Sequence, residues 1–161
     1  MTEPLLVGVI ADTHGLLRPE AVAALAGVDH LIHAGDVGHP EVLDLLRQIA
    51  PLTVVRGNND RGEWGKALPA VEFVELAGRY VYVIHDIADI DLDPAAAEVS
   101  VVIAGHAHKP LNETRDGVLY LNPGSAGPRR FRLPVTLARL TLGASVQAEI
   151  VSLLPDQPAA D

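Results

Sequence analysis

The chain has 161 residues, of which 48% are apolar, and this is enough to build the core of one domain. It contains no cysteine. Disulfides and thiolate metal sites are therefore excluded, and any metal must be held by nitrogen and oxygen ligands. The formal net charge of −9 argues against a dedicated nucleic-acid-binding surface, because such a surface needs an excess of basic side chains.

Neither a targeting signal nor a membrane span is recognisable in the sequence. The apolar run Leu5–Ala11 has the length of a strand and is too short for a signal sequence. No apolar run approaches the roughly 18 residues that a membrane helix needs. We therefore expect a soluble cytoplasmic protein, with one domain over residues 1–154 and a flexible tail over residues 155–161. A homo-oligomer remains possible.

The first third of the chain alternates predicted strands and helices. Strands are expected over residues 5–11, 29–34 and 52–55, with helices at about 19–26 and 40–49. This order favours three parallel strands with helices packed outside them. In such sheets ligands bind beyond the carboxyl ends of the strands. The polar residues that follow those ends are therefore predicted to share one rim, and they are Asp12, His14, Asp36 and Asn58.

The rest of the chain is predicted to be richer in strands and hairpins. Two strands, Val71–Ala77 and Tyr80–His85, are expected to be joined tightly through Gly78-Arg79. Asp93 and Pro94 are typical of the start of a short helix. The further predicted elements are a strand over residues 99–104, a hairpin over 110–122 around Asp116-Gly117, and a hairpin over 135–153 around residues 143–145.

Five predicted strand ends finish in side chains that bind hard metal ions. They read Asp12-Thr13-His14, Gly35-Asp36, Gly57-Asn58-Asn59-Asp60, Ile84-His85-Asp86 and Gly105-His106-Ala107-His108. Carboxylate, imidazole and amide oxygen suit divalent ions, with Mn²⁺ as the expected ion and Zn²⁺, Fe²⁺ or Ni²⁺ as alternatives. Two such ions about 3.5–4 Å apart would generate a bridging hydroxide and clamp the phosphoryl oxygens. The sequence therefore predicts a two-metal centre for phosphoester chemistry.

Each motif by itself has a simpler explanation. Gly-Asp and Asn-Asn-Asp are common turn sequences, and an Asp-x-His after a strand is more often a turn than a ligand pair. The His-x-His pair is stronger evidence, because alternate residues of a strand share a face. The joint occurrence of all five at strand ends is what favours a metal centre. Glycines at positions 35, 57 and 105 are expected to let the backbone turn sharply beside it.

This ordered set of motifs resembles the calcineurin-like metallophosphoesterase superfamily. Together with Asn122-Pro123-Gly124-Ser125 and the small size, it is similar to the YfcE-type phosphodiesterase branch, which also includes a retromer subunit of similar fold. The resemblance implies an α/β fold, a four-layer αββα sandwich of two mixed β-sheets flanked by helices. It also implies that Asp12, His14 and His108 hold one metal. Asn58, His85 and His106 would hold the second, with Asp36 bridging the two.

The resemblance further implies which residues act on the substrate. The catalytic set would be Asp36, Asn58, Asn59, Asp60 and His106, and the substrate contacts would be Asn59 and Asn122. Two positions depart from the family pattern. Larger members carry a histidine where this chain has Asn59, which cannot supply a proton near neutral pH. Small members often read His-Gly-His where this chain reads His85-Asp86-Ile87.

Three further residues near these motifs have two interpretations each. Asp60 is expected to orient Asn59 or a metal ligand through hydrogen bonds, or else to stabilise the turn. His33, just before the Gly-Asp turn, is interpreted as a buried histidine behind the site rather than a ligand. Asp86 belongs to an acidic stretch that we interpret as a solvated loop rather than a third cation site.

The leading hypothesis is a metal-dependent phosphodiesterase that hydrolyses small phosphodiesters by attack of a metal-bridging hydroxide. One alternative is a non-catalytic metal-binding scaffold of the retromer-subunit type, and another is a phosphomonoesterase. Because Asn59 cannot protonate a leaving group, the monoesterase is the weaker of the two catalytic hypotheses. A zinc hydrolase of the metallo-β-lactamase type is excluded, since the chain continues Lys109-Pro110-Leu111 after His108 instead of completing a His-x-His-x-Asp-His run.

Overall fold

A computed structural model describes residues 3–130 and 132–154 of the chain. In chain order its elements are β1 (Leu5–Ile10), α1 (Pro19–Ala24), β2 (His30–His33), α2 (Pro40–Arg47), β3 (Leu52–Val54), α3 (Glu63–Lys66), β4 (Val71–Leu76), β5 (Arg79–Ile84), β6 (Val99–Ile103), β7 (Leu111–Arg115), β8 (Val118–Asn122), β9 (Thr136–Leu142) and β10 (Val146–Ser152). A single 3-10 turn, Ile87–Asp89, lies between β5 and β6. The predicted flexible tail, residues 155–161, lies outside the described residues.

The strands form two mixed five-stranded sheets. The first has the order β10-β9-β1-β2-β3, in which β1, β2 and β3 are parallel and β9 runs antiparallel to β1. The second has the order β4-β5-β6-β8-β7, in which β5, β6 and β8 are parallel and both edge strands are antiparallel. Each sheet therefore contains three neighbouring parallel strands, and the predicted sandwich of two mixed sheets is confirmed.

Three apolar layers hold the sandwich together. Val, Ile and Leu side chains from β1, β5, β6 and β9 fill the space between the two sheets. A second cluster packs α1 and α2 onto the outer face of the first sheet. The outer face of the second sheet is covered by residues such as Ile90 and Leu92, which come from the segment between β5 and β6. Burial of this aliphatic surface is the main favourable term in folding.

Some local predictions differ from the structure. The turn between β4 and β5 is centred on Ala77 and Gly78, which both have positive φ, rather than on Gly78-Arg79. Asp93 caps its segment by accepting hydrogen bonds from the amides of Ala95 and Ala96, but the segment forms a turn instead of a helix. The four-residue helix α3 was not expected from the sequence. Among the described residues, no helix has the length and apolar character that crossing a membrane requires.

Candidate metal centre

Five parallel strands, three in the first sheet and two in the second, end at one rim of the sandwich and are followed by its polar side chains. In the first sheet, Asp12 and His14 follow β1, Asp36 follows β2, and Asn58 follows β3. In the second sheet, His85 follows β5 and the His106 loop follows β6. The two sheets face each other, so their carboxyl ends bring ligands that lie far apart in sequence to one place.

The most compact ligand group contains Asp12, His14 and His108, whose ligand atoms all lie within 4.8 Å of one another. His14 Nε2 lies 3.4 Å from His108 Nε2, which in turn lies 3.6 Å from Asp12 Oδ1. Asp12 and His108 are buried, and His14 is partly buried. This is the set that the sequence predicted for one metal ion.

A second group contains Asp12, Asp36 and His85, again with ligand atoms within 4.8 Å of one another. Asp36 Oδ2 lies 3.3 Å from His85 Nε2 and 3.9 Å from His14 Nε2. His85 Nδ1 donates a hydrogen bond to the Ala34 carbonyl at 2.7 Å, which leaves Nε2 free to face the centre. Asp36 thus lies between the two sides, as a bridging ligand would.

The remaining two predicted ligands stand at the open side of the centre. The Asn58 Oδ1 atom lies 3.0 Å from His85 Nε2, and the Asn58 side chain is exposed. His106 packs edge-on against His85, with ring centroids 5.2 Å apart. Its imidazole is 47% exposed, and its Nε2 lies 3.6 Å from Asp86 Oδ2. The structure therefore brings His106 near the centre without placing it in either compact group.

An unusual backbone conformation is concentrated at these ligands. Eight non-glycine residues in the described ranges have positive φ, and five of them are predicted ligands, namely Asp12, His14, Asp36, His106 and His108. Asp and His tolerate this left-handed region better than most residues, yet each instance costs on the order of 1–2 kcal/mol. Such strain concentrates at functional sites, where the surrounding structure or a ligand offsets it.

The three glycines beside the centre are needed for two different reasons. Gly35 has φ +101°, a conformation that side chains rarely adopt. Gly57 and Gly105 do not have positive φ. A Cβ at Gly57 would overlap the backbone nitrogen and Oδ1 of Asp36, and one at Gly105 would lie 3.0 Å from Ala11 Cβ. The expectation that all three provide sharp turns is therefore corrected, since two of them allow close packing instead.

Burial changes the proton affinity of the buried and partly buried ligands Asp12, His14, Asp36, His85 and His108. It raises the pKa of Asp12 to about 7, although His85 opposes the rise. Burial lowers the pKa of His14 and of His108, the latter to about 4, so both rings are neutral near pH 7. Burial alone would raise the pKa of Asp36, but hydrogen bonds with His85 and the Asn59 amide hold it below its usual range. Burial alone would lower the pKa of His85, but its contacts with Asp36 and the Ala34 carbonyl raise it above its ordinary value. The centre thus offers neutral imidazoles at His14 and His108 beside the Asp36 carboxylate.

These groups fit divalent metal ions. Asp12 Oδ1 is buried without a hydrogen-bond partner, although its other oxygen accepts the His106 amide at 3.1 Å. A buried carboxylate oxygen without a partner is costly unless a cation faces it. The Nε2 atoms of His14 and His108 face each other. Each could bind a metal ion as the unprotonated nitrogen of a neutral imidazole. Nitrogen and carboxylate oxygen together suit Mn²⁺, Zn²⁺, Fe²⁺ or Ni²⁺.

Asp60 has a different role from the one expected as a catalytic residue. It is 2% exposed, and its carboxylate accepts hydrogen bonds from the backbone amides of Val37, Gly38 and Gly57 at 2.9–3.2 Å. It contacts neither the Asn59 side chain nor a predicted ligand side chain. Asp60 therefore ties the loop after Asp36 to the loop before Asn58, which is closer to the turn-stabilising interpretation.

The two predicted substrate contacts are already engaged within the protein. Asn59 donates its backbone N–H to Asp36 Oδ1 at 2.8 Å and its side-chain amide to Asp36 Oδ2 at 3.1 Å. Asn122 is 8% exposed, donates to the Gly105 carbonyl at 3.0 Å and accepts from the Gly124 amide at 2.9 Å. Asn59 thus orients Asp36, and its side-chain oxygen accepts no hydrogen bond from the described residues. Asn122 fixes the loop that carries His106.

Buried polar residues behind the ligands complete the support. His33 accepts the Gly35 amide at Nδ1 and faces Thr13 Oγ1 at 3.0 Å, while burial lowers its pKa to about 3. Ser125 donates to the Asp12 carbonyl at 3.0 Å. His33 is thus a neutral buried residue behind the site, as interpreted from the sequence. The contacts of Thr13 and Ser125 were not predicted, because short polar residues in turns carry no specific signal.

Two cavities adjoin the centre on either side of His106. The first cavity, of about 310 Å³, is bounded by Arg56, Ala70, Val71, Ile84 and Asp89. The second cavity, of about 330 Å³, is bounded by Ile87, Lys109, Pro110, Leu111 and Asn122. Asp86 and His106 line both cavities and form the wall between them. Groups on either side of a bound phosphorus atom would find space there.

Comparison with known proteins identifies the family. Residues 5–145 match the calcineurin-like phosphoesterase superfamily domain. The chain belongs to this superfamily. A probable metallophosphoesterase from Methanothermobacter thermautotrophicus is 33% identical over 159 residues, which cover 91% of this chain and 92% of the relative. The chain is thus a phosphoesterase-family protein, and the residue groups of the rim match that family's use of divalent metals.

Solved structures share the fold over nearly their whole length. The Vacuolar Protein Sorting 29 structure from Cryptosporidium parvum has a TM-score of 0.80 at 20% identity and covers 95% of this chain and 93% of its own. An archaeal phosphodiesterase has a TM-score of 0.73 at 24% identity, covering 91% and 100%. The phosphoesterase Yfce from E. coli has a TM-score of 0.67 at 21% identity, covering 93% and 100%. These likenesses establish the fold expected for the small branch.

Proposed function

We propose that this chain is a phosphodiesterase that hydrolyses small phosphodiesters at a centre of two divalent ions, with Mn²⁺ as the native metal. The observation that carries the proposal is the pair of compact ligand groups that share Asp12. A single ion would use only one of these groups. The buried Asp12 Oδ1 atom supports the presence of a cation, because it has no hydrogen-bond partner and its neighbour at 3.6 Å, His108 Nε2, belongs to a ring whose pKa is lowered to about 4.

The protein's own residues would divide the work of this centre. Two divalent ions supply Lewis acidity and lower the pKa of water, which makes a nucleophile available near neutral pH. One ion would be held by Asp12, His14 and His108, and the other by Asn58, His85 and His106. Asp36 would contact both. Asn59 fixes both oxygens of Asp36 through its two hydrogen bonds, and so keeps that carboxylate in a bridging orientation.

Two observations favour a diester over a monoester. Asn59 stands where larger family members carry a histidine, and an amide cannot protonate a poor leaving group. The two cavities beside His106 provide a place for each of the two ester substituents of a diester. The similar fold of an archaeal phosphodiesterase is consistent with this substrate class. Activated aryl diesters should be the best synthetic substrates, since their leaving groups need no proton.

The test is a manganese-dependent assay with bis-p-nitrophenyl phosphate, combined with elemental analysis of the purified protein. Asp36→Asn should lose bound metal and diesterase activity together, by more than about 100-fold, because a ligand contributes more than the residues that merely orient it. Asp44→Asn, on the exposed side of α2, is the matched control and should behave as wild type. Full turnover by metal-stripped Asp36→Asn protein would contradict the proposal.

The same experiment separates the alternatives. Stoichiometric metal without turnover of any ester would favour a non-catalytic scaffold, and the fold shared with Vacuolar Protein Sorting 29 makes this a concrete alternative. Turnover confined to monoesters would favour a phosphomonoesterase. A screen of diesters, cyclic nucleotides and monoesters against several divalent ions would therefore decide both the reaction and the metal.

A further inference from the structure

Asp86 lies next to two predicted ligands but has no role in the proposed reaction. It directly follows the predicted ligand His85, where small family members often carry glycine. Its Oδ1 accepts the Ala88 amide at 3.0 Å, so it caps the 3-10 turn Ile87–Asp89. Its Oδ2 points the other way and lies 3.6 Å from His106 Nε2. The carboxylate is therefore held by its own turn and directed at the open side of the centre.

In the described part of the chain, no lysine or arginine forms an ion pair with this carboxylate, although Lys109 also lines the second cavity. Its one ion-pair contact there is with His106, which carries a charge only when protonated. Arg56 lines the same cavity, but its Nη1 atom donates to the carbonyls of Lys66 and Leu68. The Asp86 side chain is 34% exposed, so its negative charge reaches the solvent of the cleft.

The position of Asp86 places it beside any substrate at the centre. It lines both the first and the second cavity and, with His106, separates them. A phosphoester that occupies either cavity must therefore pass or adjoin the carboxylate. Charges that line a cleft act on each ligand that enters it, and their effect depends on the charge that the ligand carries.

We propose that Asp86 is a specificity-determining residue, whose carboxylate at the wall between the two cavities selects singly charged phosphodiesters over doubly charged phosphomonoesters. This inference rests on the proposed function and extends it to the choice of substrate. A diester carries one negative charge near neutral pH, whereas the second ionisation of a phosphomonoester is nearly complete above pH 7. The monoester therefore meets one more unit of repulsion from Asp86 than the diester does.

This selection differs from the effect of Asn59. Asn59 limits monoesters by offering no proton to the leaving group, so its effect depends on how good that leaving group is. Asp86 would act on the charge of the whole substrate and would discriminate even when the leaving group is identical. Comparing substrates with one common leaving group therefore isolates the contribution of Asp86.

The experiment measures kcat/KM for p-nitrophenyl phosphate and for methyl p-nitrophenyl phosphate at pH 8, with the manganese-loaded protein. These two substrates share their leaving group and differ by one charge. In Asp86→Asn, the ratio of monoester to diester kcat/KM should rise roughly three- to tenfold, as expected for one unit charge at a partly wet site. Added salt should reduce the preference of the wild type for the diester, because partly exposed charges are screened. The substrate preference of Asp86→Asn should stay nearly unchanged.

Two further variants serve as controls. Asp86→Ser removes the charge but keeps an oxygen that can accept the Ala88 amide, so it should shift the ratio as Asp86→Asn does even if the turn is sensitive to the substitution. Asp89→Asn removes a charge from the same turn at an exposed position that lines only the first cavity, and it should shift the ratio less.

Three results would overturn the inference. An unchanged ratio in both Asp86 variants would show that the carboxylate does not discriminate. An equal shift in Asp89→Asn would show that the effect belongs to the acidic segment as a whole. Loss of bound manganese together with both activities would make Asp86 a metal ligand instead. A wild-type protein without any diesterase activity would contradict the proposed function itself, which is a separate failure.

Discussion

The two sides of the metal centre differ in how completely the protein chain assembles them. On the His108 side, three ligand atoms are gathered within 4.8 Å, and two of the three residues are buried. On the other side, His85 is buried but Asn58 and His106 are exposed, and His106 belongs to neither compact group. Packing thus positions the buried residues of both compact groups, whereas Asn58 and His106 line the first cavity, where a substrate would enter.

Under the proposed function, this difference would assign metal binding and substrate selection to different parts of the rim. Burial at Asp12 and His108 provides a rigid, dry place in which a cation is strongly favoured. His106 is exposed, and this predicted ligand also lines both cavities. Mutations on the buried side should therefore remove metal and activity together, while mutations on the open side should change affinity and substrate choice.

The largest effect should come from comparing Asp12→Asn with His106→Ala. Asp12 would hold one ion and also lies close to Asp36 and His85, so Asp12→Asn should reduce bound metal and lower kcat/KM by about 1,000-fold or more. His106→Ala should leave the buried group intact and weaken metal affinity about 10- to 100-fold, so that high manganese partly restores activity. Metal titration measures metal affinity, and diesterase assays measure kcat/KM. Equal losses of both quantities in the two variants would contradict the proposed difference between the two sides of the centre.

A second prediction perturbs Asp36 without replacing any ligand. A Cβ at Gly57 would overlap the backbone nitrogen and Oδ1 of Asp36, so Gly57→Ala should displace that carboxylate. We expect a loss of about 1–3 kcal/mol in the free energy of unfolding and weaker metal binding. Gly117→Ala is the matched control: it has φ +78° but open space around it, and should cost roughly 1 kcal/mol without affecting metal. Thermal unfolding and metal titration would distinguish the two.

A third prediction concerns stability in the absence of metal. Burial raises the pKa of Asp12 to about 7, so the metal-free folded protein pays for an unpaired charge above that pH. This penalty is absent below the unfolded value near 4 and develops fully as the pH rises through 7. With chelator at pH 8, Asp12→Asn should therefore be more stable than wild type, by about 2–4 kcal/mol at most.

Urea unfolding at pH 4 and at pH 8 measures this effect. The stabilisation by Asp12→Asn should be largely lost at pH 4, where the carboxyl group is protonated in the folded state and only partly ionised in the unfolded state. With manganese present at pH 8, the wild type should be more stable than Asp12→Asn, because the ion stabilises only the protein that binds it. A variant that is less stable than wild type under every condition would show that Asp12 is mainly structural.

Much of the fold could be predicted because its strands are continuous apolar runs. Strand β1 was placed within one residue of its observed end, and the hairpin between β7 and β8 turns at Asp116-Gly117, as expected. The short helix expected after Asp93 did not form. Its cap is present, but Ala-rich residues 95–97 lack the apolar periodicity that would pack a helix onto the second sheet.

The sequence by itself determined which residues lie at the rim. Metal-binding side chains follow apolar runs at five places, and the carboxyl ends of parallel strands lie on one edge of a sheet. Comparison with known proteins then established the superfamily and the fold. The metal-binding role of each side chain stays a prediction that the proposed experiments address.

Only the tertiary structure decided which of those residues belong to the ligand groups and which support or adjoin them. The two sheets pack face to face, and this brings Asp12 into both ligand groups, turns Asp60 toward three backbone amides, and leaves Asp86 facing His106. Sequence cannot fix such relations, because they depend on distances between strands that are remote in the chain and on left-handed backbone at the ligands. The pattern of residues along the chain predicts the ligands, whereas their burial and mutual distances are set by how the two sheets pack.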